Sequence, residues 1–284
     1  MKRYKILHQT SYEFTDAVQL LPHTLRLRPR EGHELRIESS ILNISPEAAL
    51  RWHRDVEGNS VATATFNDNA QALNINSEII IQKYDQVPHD FLVADYAVDY
   101  PFNYSDEDQV LLSPYMGRLE NQEQSRLNDL VNSVWQPNQA IQTFALLLRL
   151  NQHVYQAVSY KRREEAGVQT VEETLTLGSG SCRDSAFLFM LAAQQLGFAA
   201  RFISGYIYSE MEIIQSGSTH AWAEVFIPGA GWKGFDPSIG NIVGVEHIAV
   251  AVARLPESVP PVSGSFHGLP GANMTVNVWV TELL

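Results

Sequence analysis

Short apolar runs separated by turn-forming residues dominate the first ninety residues of this 284-residue chain. The runs are rich in Ile, Leu, Val and Thr, and Arg30-Glu31-Gly32 and Glu57-Gly58-Asn59 are two of the clusters between them. Regular runs with such breaks are typical of short strands in an antiparallel β-sandwich. Alternation of apolar and charged side chains over residues 35–38 indicates a strand with one buried face. The predicted strands cover residues 4–8, 24–28, 35–42, 60–66 and 72–81.

The second half of the chain carries helical spacing of its apolar residues. This spacing predicts one helix over residues 139–158, with Pro137 near its start, and a second over residues 182–196, which Gly197 ends. Further strand-like segments follow these helices, and the tail alternates apolar and polar residues, as strands do. These segments are residues 199–208, 220–227, 232–235, 243–252 and 274–281.

The order of these elements predicts an α+β protein in three parts. A β-rich domain occupies residues 1–92, an ordered linker residues 93–125, and a mixed domain of helices and sheet residues 126–284. Four tyrosines make the linker region too aromatic for disorder, so we expect it to wrap around the body of the protein. They are Tyr96, Tyr100, Tyr104 and Tyr115.

Composition excludes several classes of function. The formal net charge is −12, and an acidic surface repels phosphate backbones, so no nucleic-acid partner is expected. The densest basic run, residues 161–163, is followed directly by two glutamates and indicates a solvated face. No apolar stretch approaches the roughly 18–20 residues that span a bilayer, and no secretory signal follows Met1, so we expect a cytoplasmic protein without a membrane partner.

One cysteine, Cys182, is present, which excludes an intramolecular disulfide and a multi-thiolate metal site. It follows Gly178-Ser179-Gly180-Ser181, and Ser181 with Asp184 forms a variant of the Ser-x-x-Glu capping box. The cysteine therefore falls in the first turn of the predicted helix. Unsatisfied N–H groups and the helix macrodipole favour an anion there, so we expect the pKa of the thiol to fall.

A thiolate that performs acyl transfer needs a base and a group that orients the base. One predicted strand begins at His220, and the next ends at Asp236, just before Pro237. A tight turn at residues 228–231 separates them, and adjacent antiparallel strands joined in this way place His220 and Asp236 at the same end of the hairpin. The sequence therefore predicts a Cys-His-Asp site.

These motifs together resemble the bacterial transglutaminase-like superfamily. The resemblance rests on Gly-Ser-Gly-Ser-Cys-Arg-Asp-Ser-Ala, Leu196–Tyr206, His-Ala-Trp-Ala-Glu and Phe-Asp-Pro, and it covers roughly residues 140–250. The pattern from Tyr4 to Tyr12 resembles the β domain that often precedes this core. The family implies a papain-like core, in which the helix that carries the cysteine packs on an antiparallel sheet. It also implies that Cys182 is the nucleophile, His220 the general base and acid, and Asp236 the orienting carboxylate.

Simpler interpretations of individual residues stay open at this stage. A lone cysteine early in a helix is usually a buried small hydrophobe, and Asp236 before a proline is compatible with a plain turn. His247 and His267 are alternative bases, and Asp184 is the competing carboxylate. Candidate oxyanion donors are the Cys182 backbone N–H and Tyr160, an aromatic that matches a family position. Arg183 is compatible with substrate contact or with a structural role.

The leading hypothesis is an acyl-transfer enzyme that attacks an amide of a peptide or protein substrate through a thioester, with hydrolysis as the favoured outcome. No cofactor and no metal is expected. Transfer to a lysine amine, which would make the enzyme a protein-glutamine cross-linker, is the first alternative. A non-catalytic binding module on the same scaffold and a thiol redox sensor are the others, although the sequence retains all three site residues and lacks a second thiol.

Overall fold

The computed structural model describes residues 1–84, 90–117, 125–163, 165–209, 219–269 and 271–283. The strands of these residues are β1 (Lys2–Leu20), β2 (His23–Leu25), β3 (Leu35–Ser45), β4 (Ala49–Arg54), β5 (Ser60–Thr65), β6 (Asn69–Lys83), β7 (Asp99–Tyr100), β8 (Ile141–Gln142), β9 (Ser159–Tyr160), β10 (Ser179–Gly180), β11 (Ala200–Ile207), β12 (His220–Ile227), β13 (Gly231–Asp236), β14 (Asn241–Ile242), β15 (His247–Ala253), β16 (Val262–Ser263), β17 (Phe266–His267) and β18 (Ala272–Leu283). The α-helices are α1 (Asp106–Leu112), α2 (Ser125–Val134), α3 (Thr143–Ala157), α4 (Val171–Leu177) and α5 (Cys182–Gln195).

Two antiparallel sheets build the N-terminal half. One has the order β17-β1-β6-β3 with β18 also paired to β1, and the other has the order β16-β2-β5-β4. Every second residue of β1 from Tyr4 to Thr10 is buried, as its alternating pattern requires. Apolar residues of both sheets meet in one core, which includes Phe14, Leu25 and Ile75. This packing of two sheets on a shared core is the predicted β-sandwich.

A five-stranded antiparallel sheet forms the core of the second half, with the order β14-β13-β12-β11-β15. Helix α5 packs on β12 and β11, and α2, α3 and α4 surround it. Residues from Ser185 to Gln194 are buried throughout, as expected of a helix enclosed by other elements on all sides. The predicted helix over residues 182–196 ends at Gln195, and Gly197 follows it with a φ of +90°. Among the described residues, no helix is long and apolar enough to cross a membrane.

The region predicted to be a linker makes ordered contacts with both halves of the protein. The hydroxyl of Tyr100 donates to the Leu196 carbonyl, that of Tyr104 to the Phe226 carbonyl and that of Tyr115 to Glu57 in the N-terminal half. Gly229, in the turn between β12 and β13, has a φ of +82°, and a Cβ there would lie 2.6 Å from the Ala94 nitrogen. Residues 118–124 of the linker lie outside the described residues.

The C-terminal strand belongs to the N-terminal sheet. We expected the tail to add strands to the domain over residues 126–284, but β18 pairs with β1 over its length, from Arg3 opposite Leu283 to Phe14 opposite Ala272. The free edge of β1 explains the pairing, because an unpaired strand edge offers a continuous row of backbone donors and acceptors. The chain therefore returns to its first domain after completing the second sheet. The boundaries at residues 92 and 125 remain predictions.

Candidate active site

Cys182 is the first residue of α5, and a capping interaction fixes the turn that presents it. The Asp184 carboxylate accepts hydrogen bonds from the backbone N–H and the hydroxyl of Ser181, each at 2.7 Å. The backbone N–H groups of the first turn have no partner within a helix, so Cys182 stands where a negative charge on sulfur is favoured. Its side chain is largely buried.

His220 begins β12, and Asp236 ends β13, the next strand of the sheet. The Nε2–H of His220 donates to Oδ2 of Asp236 over 2.6 Å. The Cys182 sulfur lies close enough to raise the pKa of the imidazole through its charge and hydrogen bonding. Because Nε2 is bound to Asp236, the ring nitrogen that remains for the thiol is Nδ1. The structure thus brings together the three residues that the motifs single out.

Asp236 is completely buried and fully hydrogen-bonded. Its Oδ2 accepts from His220 and, at 3.0 Å, from Nε2 of His247. Its Oδ1 accepts from the backbone N–H of Ser238 at 3.0 Å and from the Ser238 hydroxyl at 2.6 Å. The turn role that the Asp-Pro sequence suggests and the role beside the histidine therefore coexist, because each uses a different oxygen of the same carboxylate.

Burial and charge shift the pKa values of His220 and Asp236 in opposite directions. Burial lowers the pKa of His220, but the charge of Asp236 and its hydrogen bond outweigh burial and raise that pKa above its ordinary value. Burial raises the pKa of Asp236, but the charge and hydrogen bond of His220, with a hydrogen bond from His247, hold it far below its ordinary value. The arrangement favours an imidazolium beside a carboxylate, which is the state that stabilises a neighbouring thiolate.

Trp222 packs against the imidazole of His220. Its ring centroid lies 6.1 Å from that of His220 and 5.2 Å from that of His247, and the side chain is buried. Gly205, opposite His220 in the sheet, leaves the space for this indole, because a Cβ there would lie 2.6 Å from the Trp222 ring. The indole therefore limits the rotation of both imidazoles.

Asp184, Arg183 and His267, three other candidate site residues, make no hydrogen bond to the imidazole of His220 within the described part of the chain. Asp184 is buried and accepts, besides its bonds from Ser181, hydrogen bonds from Arg163 and from the Gln169 backbone, each at 2.7 Å. It ties the loop before α5 to the start of the helix. Arg183 donates to the carbonyls of Arg163 and Glu165, which is a structural role. His267 lies in β17 opposite Gln19, in the N-terminal sheet.

Tyr160 lies beside the segment that leads to the cysteine. In the short parallel pair of β9 and β10 it stands opposite Gly180, two residues before Cys182. Its side chain is more than half exposed. Neither this position nor the start of α5 identifies the oxyanion donors, so Tyr160 and the Cys182 N–H remain predictions for that role.

His247 is the residue of this site whose contact the sequence did not predict. The sequence presents it only as an alternative base, whereas the structure places it as a second imidazole on Asp236. Its position at the start of a continuously apolar strand, β15, was the available signal. A polar residue that begins such a strand and is buried needs a partner.

His220, Asp236 and His247 also form, among the described residues, the one group of three whose ligand-type atoms lie within 4.8 Å of one another. Hydrogen bonds already occupy those atoms. The Gly244 N–H donates to Nδ1 of His247, so the proton of the neutral ring is on Nε2, the nitrogen that faces Asp236. In this protonation state the nitrogen that faces Asp236 offers no lone pair to a metal ion.

Two family profiles match the chain. The bacterial transglutaminase-like N-terminal region matches residues 4–82, and the core of the transglutaminase-like superfamily matches residues 130–237. The second range includes Cys182, His220 and Asp236.

Relatives extend over most of the chain. Uncharacterized proteins of Mycobacterium tuberculosis and Mycobacterium bovis are each 25% identical to it over 282 residues, which cover 92% of this chain and 87% of the relative. A crystal structure from Cytophaga hutchinsonii, described as a "putative cysteine protease", has a TM-score of 0.74 at 16% identity and covers 99% of this chain and 91% of that chain. At this identity the similarity shows a common fold.

Proposed function

The chain belongs to the transglutaminase-like superfamily, and from this premise we propose that it is a cysteine-nucleophile enzyme that hydrolyses an amide or peptide bond. One observation carries the proposal. The buried Asp236 holds Nε2 of His220 at 2.6 Å, which leaves Nδ1 for Cys182 at the start of α5. Nucleophile, base and orienting group then stand in the order that acyl transfer requires.

The first half-reaction forms a thioester. The Cys182 thiol gives its proton to His220, and the thiolate attacks the carbonyl carbon of the substrate. The carbonyl oxygen becomes an oxyanion, for which the Cys182 backbone N–H is the proposed donor. When the oxyanion collapses, the carbon–nitrogen bond breaks, and the His220 imidazolium gives its proton to the leaving amine.

The second half-reaction restores the enzyme. A water molecule gives a proton to His220 as its oxygen attacks the thioester carbon. The carbon–sulfur bond then breaks, the carboxylic acid leaves, and the sulfur recovers the proton from His220. Asp236 stays ionised throughout, because its four hydrogen bonds favour the carboxylate.

Alkylation with iodoacetamide across pH tests the activated thiolate. Because Cys182 is the one cysteine of the chain, the modified fraction reports on that residue alone. We expect alkylation well below about pH 8.5, the pH at which an ordinary cysteine thiol is half ionised. His220→Ala should move the profile up to that of an ordinary thiol. An unshifted profile would remove His220 from the site, and would favour a binding module or a redox role for the cysteine.

Hydrolysis and amine transfer differ in their second step alone, so the acceptor must be measured directly. A mixture of glutamine-containing peptides with a primary amine is incubated with the protein, and mass spectrometry follows both products. We expect a mass increase on Cys182 that corresponds to the acyl group, followed by carboxylate products. Products that retain the amine in place of the released ammonia would instead support a protein-glutamine transamidase. Cys182→Ser serves as the control that forms no thioester.

A further inference from the structure

The hydrogen-bond partners of His247 indicate which of its two ring nitrogens carries the proton. The Gly244 backbone N–H donates to Nδ1 over 3.2 Å, and a backbone amide cannot accept, so Nδ1 carries a lone pair. The proton of the neutral ring is therefore on Nε2, from which it is donated to Oδ2 of Asp236 over 3.0 Å. His247 thus bonds Asp236 as a neutral donor, whereas His220 bonds the same oxygen from a ring that favours the charged form.

The surroundings of His247 favour the neutral form of its ring. It is buried, and burial is the largest influence on its pKa, which lies below the ordinary value. The charged or titratable groups that act on the ring are Asp236, which raises the pKa, and His220 and Lys83, which lower it. The Trp222 indole lies edge-on at 5.2 Å and restricts rotation of the ring.

We propose that His247 is a positioning residue of the active site and that the N-terminal domain holds it in place. This inference rests on the proposed function. The neutral Nε2–H of His247 fixes the direction of Oδ2, and the two bonds from Ser238 fix Oδ1. With both oxygens held, Asp236 presents one fixed acceptor to His220, and Nδ1 of His220 stays aimed at Cys182.

The link to the N-terminal domain passes through Lys83, the last residue of β6. Its ammonium donates to the backbone carbonyls of Val245 and His247, at 2.9 and 2.5 Å. Lys83 is largely buried, and these bonds anchor the start of β15 where His247 enters the site. The sandwich domain thereby supports the catalytic sheet at the end of β15 that carries His247.

Two substitutions of His247 that differ by one methylene test the donor position. Gln places its amide nitrogen at the same number of bonds from Cβ as Nε2, so His247→Gln retains a donor to Asp236. Asn reaches only the position of Nδ1, so His247→Asn loses that donor. His23→Asn is the control, because His23 is a second buried histidine, located in β2 of the sandwich.

The readout is the pH profile of Cys182 alkylation, which needs no substrate. We expect His247→Gln to keep the wild-type profile. His247→Asn should slow alkylation at neutral pH roughly tenfold to a hundredfold, the usual range when a supporting hydrogen bond of a functional group is removed, and should move the profile towards that of an ordinary thiol. A profile of His247→Asn that matches wild type and His23→Asn would overturn the proposal.

Lys83→Met tests the link between the domains. Lys83→Met should slow the alkylation of Cys182, as His247→Asn does. Lys5→Met removes an exposed ion pair with Glu78 on the same sheet and should leave the rate of alkylation unchanged. Circular dichroism of each variant establishes that it folds. Equal profiles for the two lysine variants would remove the N-terminal domain from the proposal.

The wild-type protein supplies an independent test of the protonation of the His247 ring. In ¹⁵N-histidine NMR, the His247 ring should show the neutral tautomer with its proton on Nε2 between pH 6 and pH 8. The resonance is assigned by its loss in His247→Gln. A charged ring, or a proton on Nδ1, would refute the inference. Absence of a thioester in wild type, with this tautomer and the alkylation contrast intact, would count against the proposed function alone.

Discussion

Cys182→Ala is expected to abolish turnover while the protein stays folded. Without the sulfur no thioester forms, and loss of a nucleophile typically lowers kcat by about 10⁴–10⁶-fold. The side chain is small and stands at the first position of α5, so we expect the free energy of unfolding to fall by only about 1 kcal/mol. The measurement is the rate of peptide or amide cleavage, together with thermal unfolding followed by circular dichroism.

Cys182→Ser separates the thiolate from the shape of the side chain. Serine has nearly the same size, but its hydroxyl does not ionise near neutral pH, so this variant should also lose most of its activity. Activity near the wild-type level in either folded variant would end the assignment of Cys182 as the nucleophile. It would also direct attention to a mechanism centred on His220 and Asp236.

Asp236→Asn is expected to have the second largest effect, with a loss of activity of roughly 10²–10⁴-fold. The Asn side chain would place an amide where Asp236 now accepts from both imidazoles, so the orientation of His220 would be lost. The carboxylate is fully buried with four hydrogen-bond donors. Removing a buried partner of this kind also costs about 3–5 kcal/mol of the free energy of unfolding.

Asp184→Asn is the matched control for that experiment. Asp184 is equally buried and also accepts four hydrogen bonds, from Arg163, from the Gln169 backbone and twice from Ser181. We expect a comparable loss of stability but a much smaller loss of activity, because none of these donors is an imidazole. The reverse order of activities would make Asp184 the orienting carboxylate.

The pH dependence of stability follows from the lowered pKa of Asp236. Its pKa in the folded protein lies below its ordinary value of 3.8, so its contribution to stability is complete above that pH and is lost as the pH falls through the folded value. The difference in unfolding free energy between wild type and Asp236→Asn should therefore be largest between about pH 4 and pH 6.5 and should shrink under strongly acidic conditions. It should also shrink as the pH rises above 6.5, the ordinary pKa of histidine, because the raised pKa of His220 depends on Asp236. Urea unfolding at several pH values measures this difference, and a difference that grows on acidification below about pH 4 would contradict this sign.

The sequence predicted the architecture because its signals are local. Alternation in β1 and the spacing of α5 each identify an element from a few consecutive residues. The family match and the structural similarity confirm the papain-like, transglutaminase-like fold with a β domain before it. Three helices, α1, α2 and α4, were not predicted, although two of them carry clear signals. In α2, Leu127, Leu130, Val131 and Val134 follow helical spacing, and Thr170 with Glu173 forms the capping box of α4.

Other features had no local signal. The alternating residues of β18 predict a strand, but they do not predict which strand it pairs with. Backbone hydrogen bonds can form at the free edge of any strand. Strand β18 joins β1, more than 250 residues earlier in the chain, where a free edge remains. The contact of His247 with Asp236 likewise depends on how β15 and β13 are placed in the sheet.

The amino-acid sequence by itself determined which chemical groups are available and which local elements carry them, since side-chain periodicity and helix caps act over a few residues. It placed a lone thiol at a helix start and a histidine and an aspartate at the same end of a hairpin. The tertiary structure decided which distant groups meet. Burial of both domains against one another brings Lys83 to the start of β15 and His247 to Asp236, because the pairing of strands and the packing of sheets depend on the whole chain.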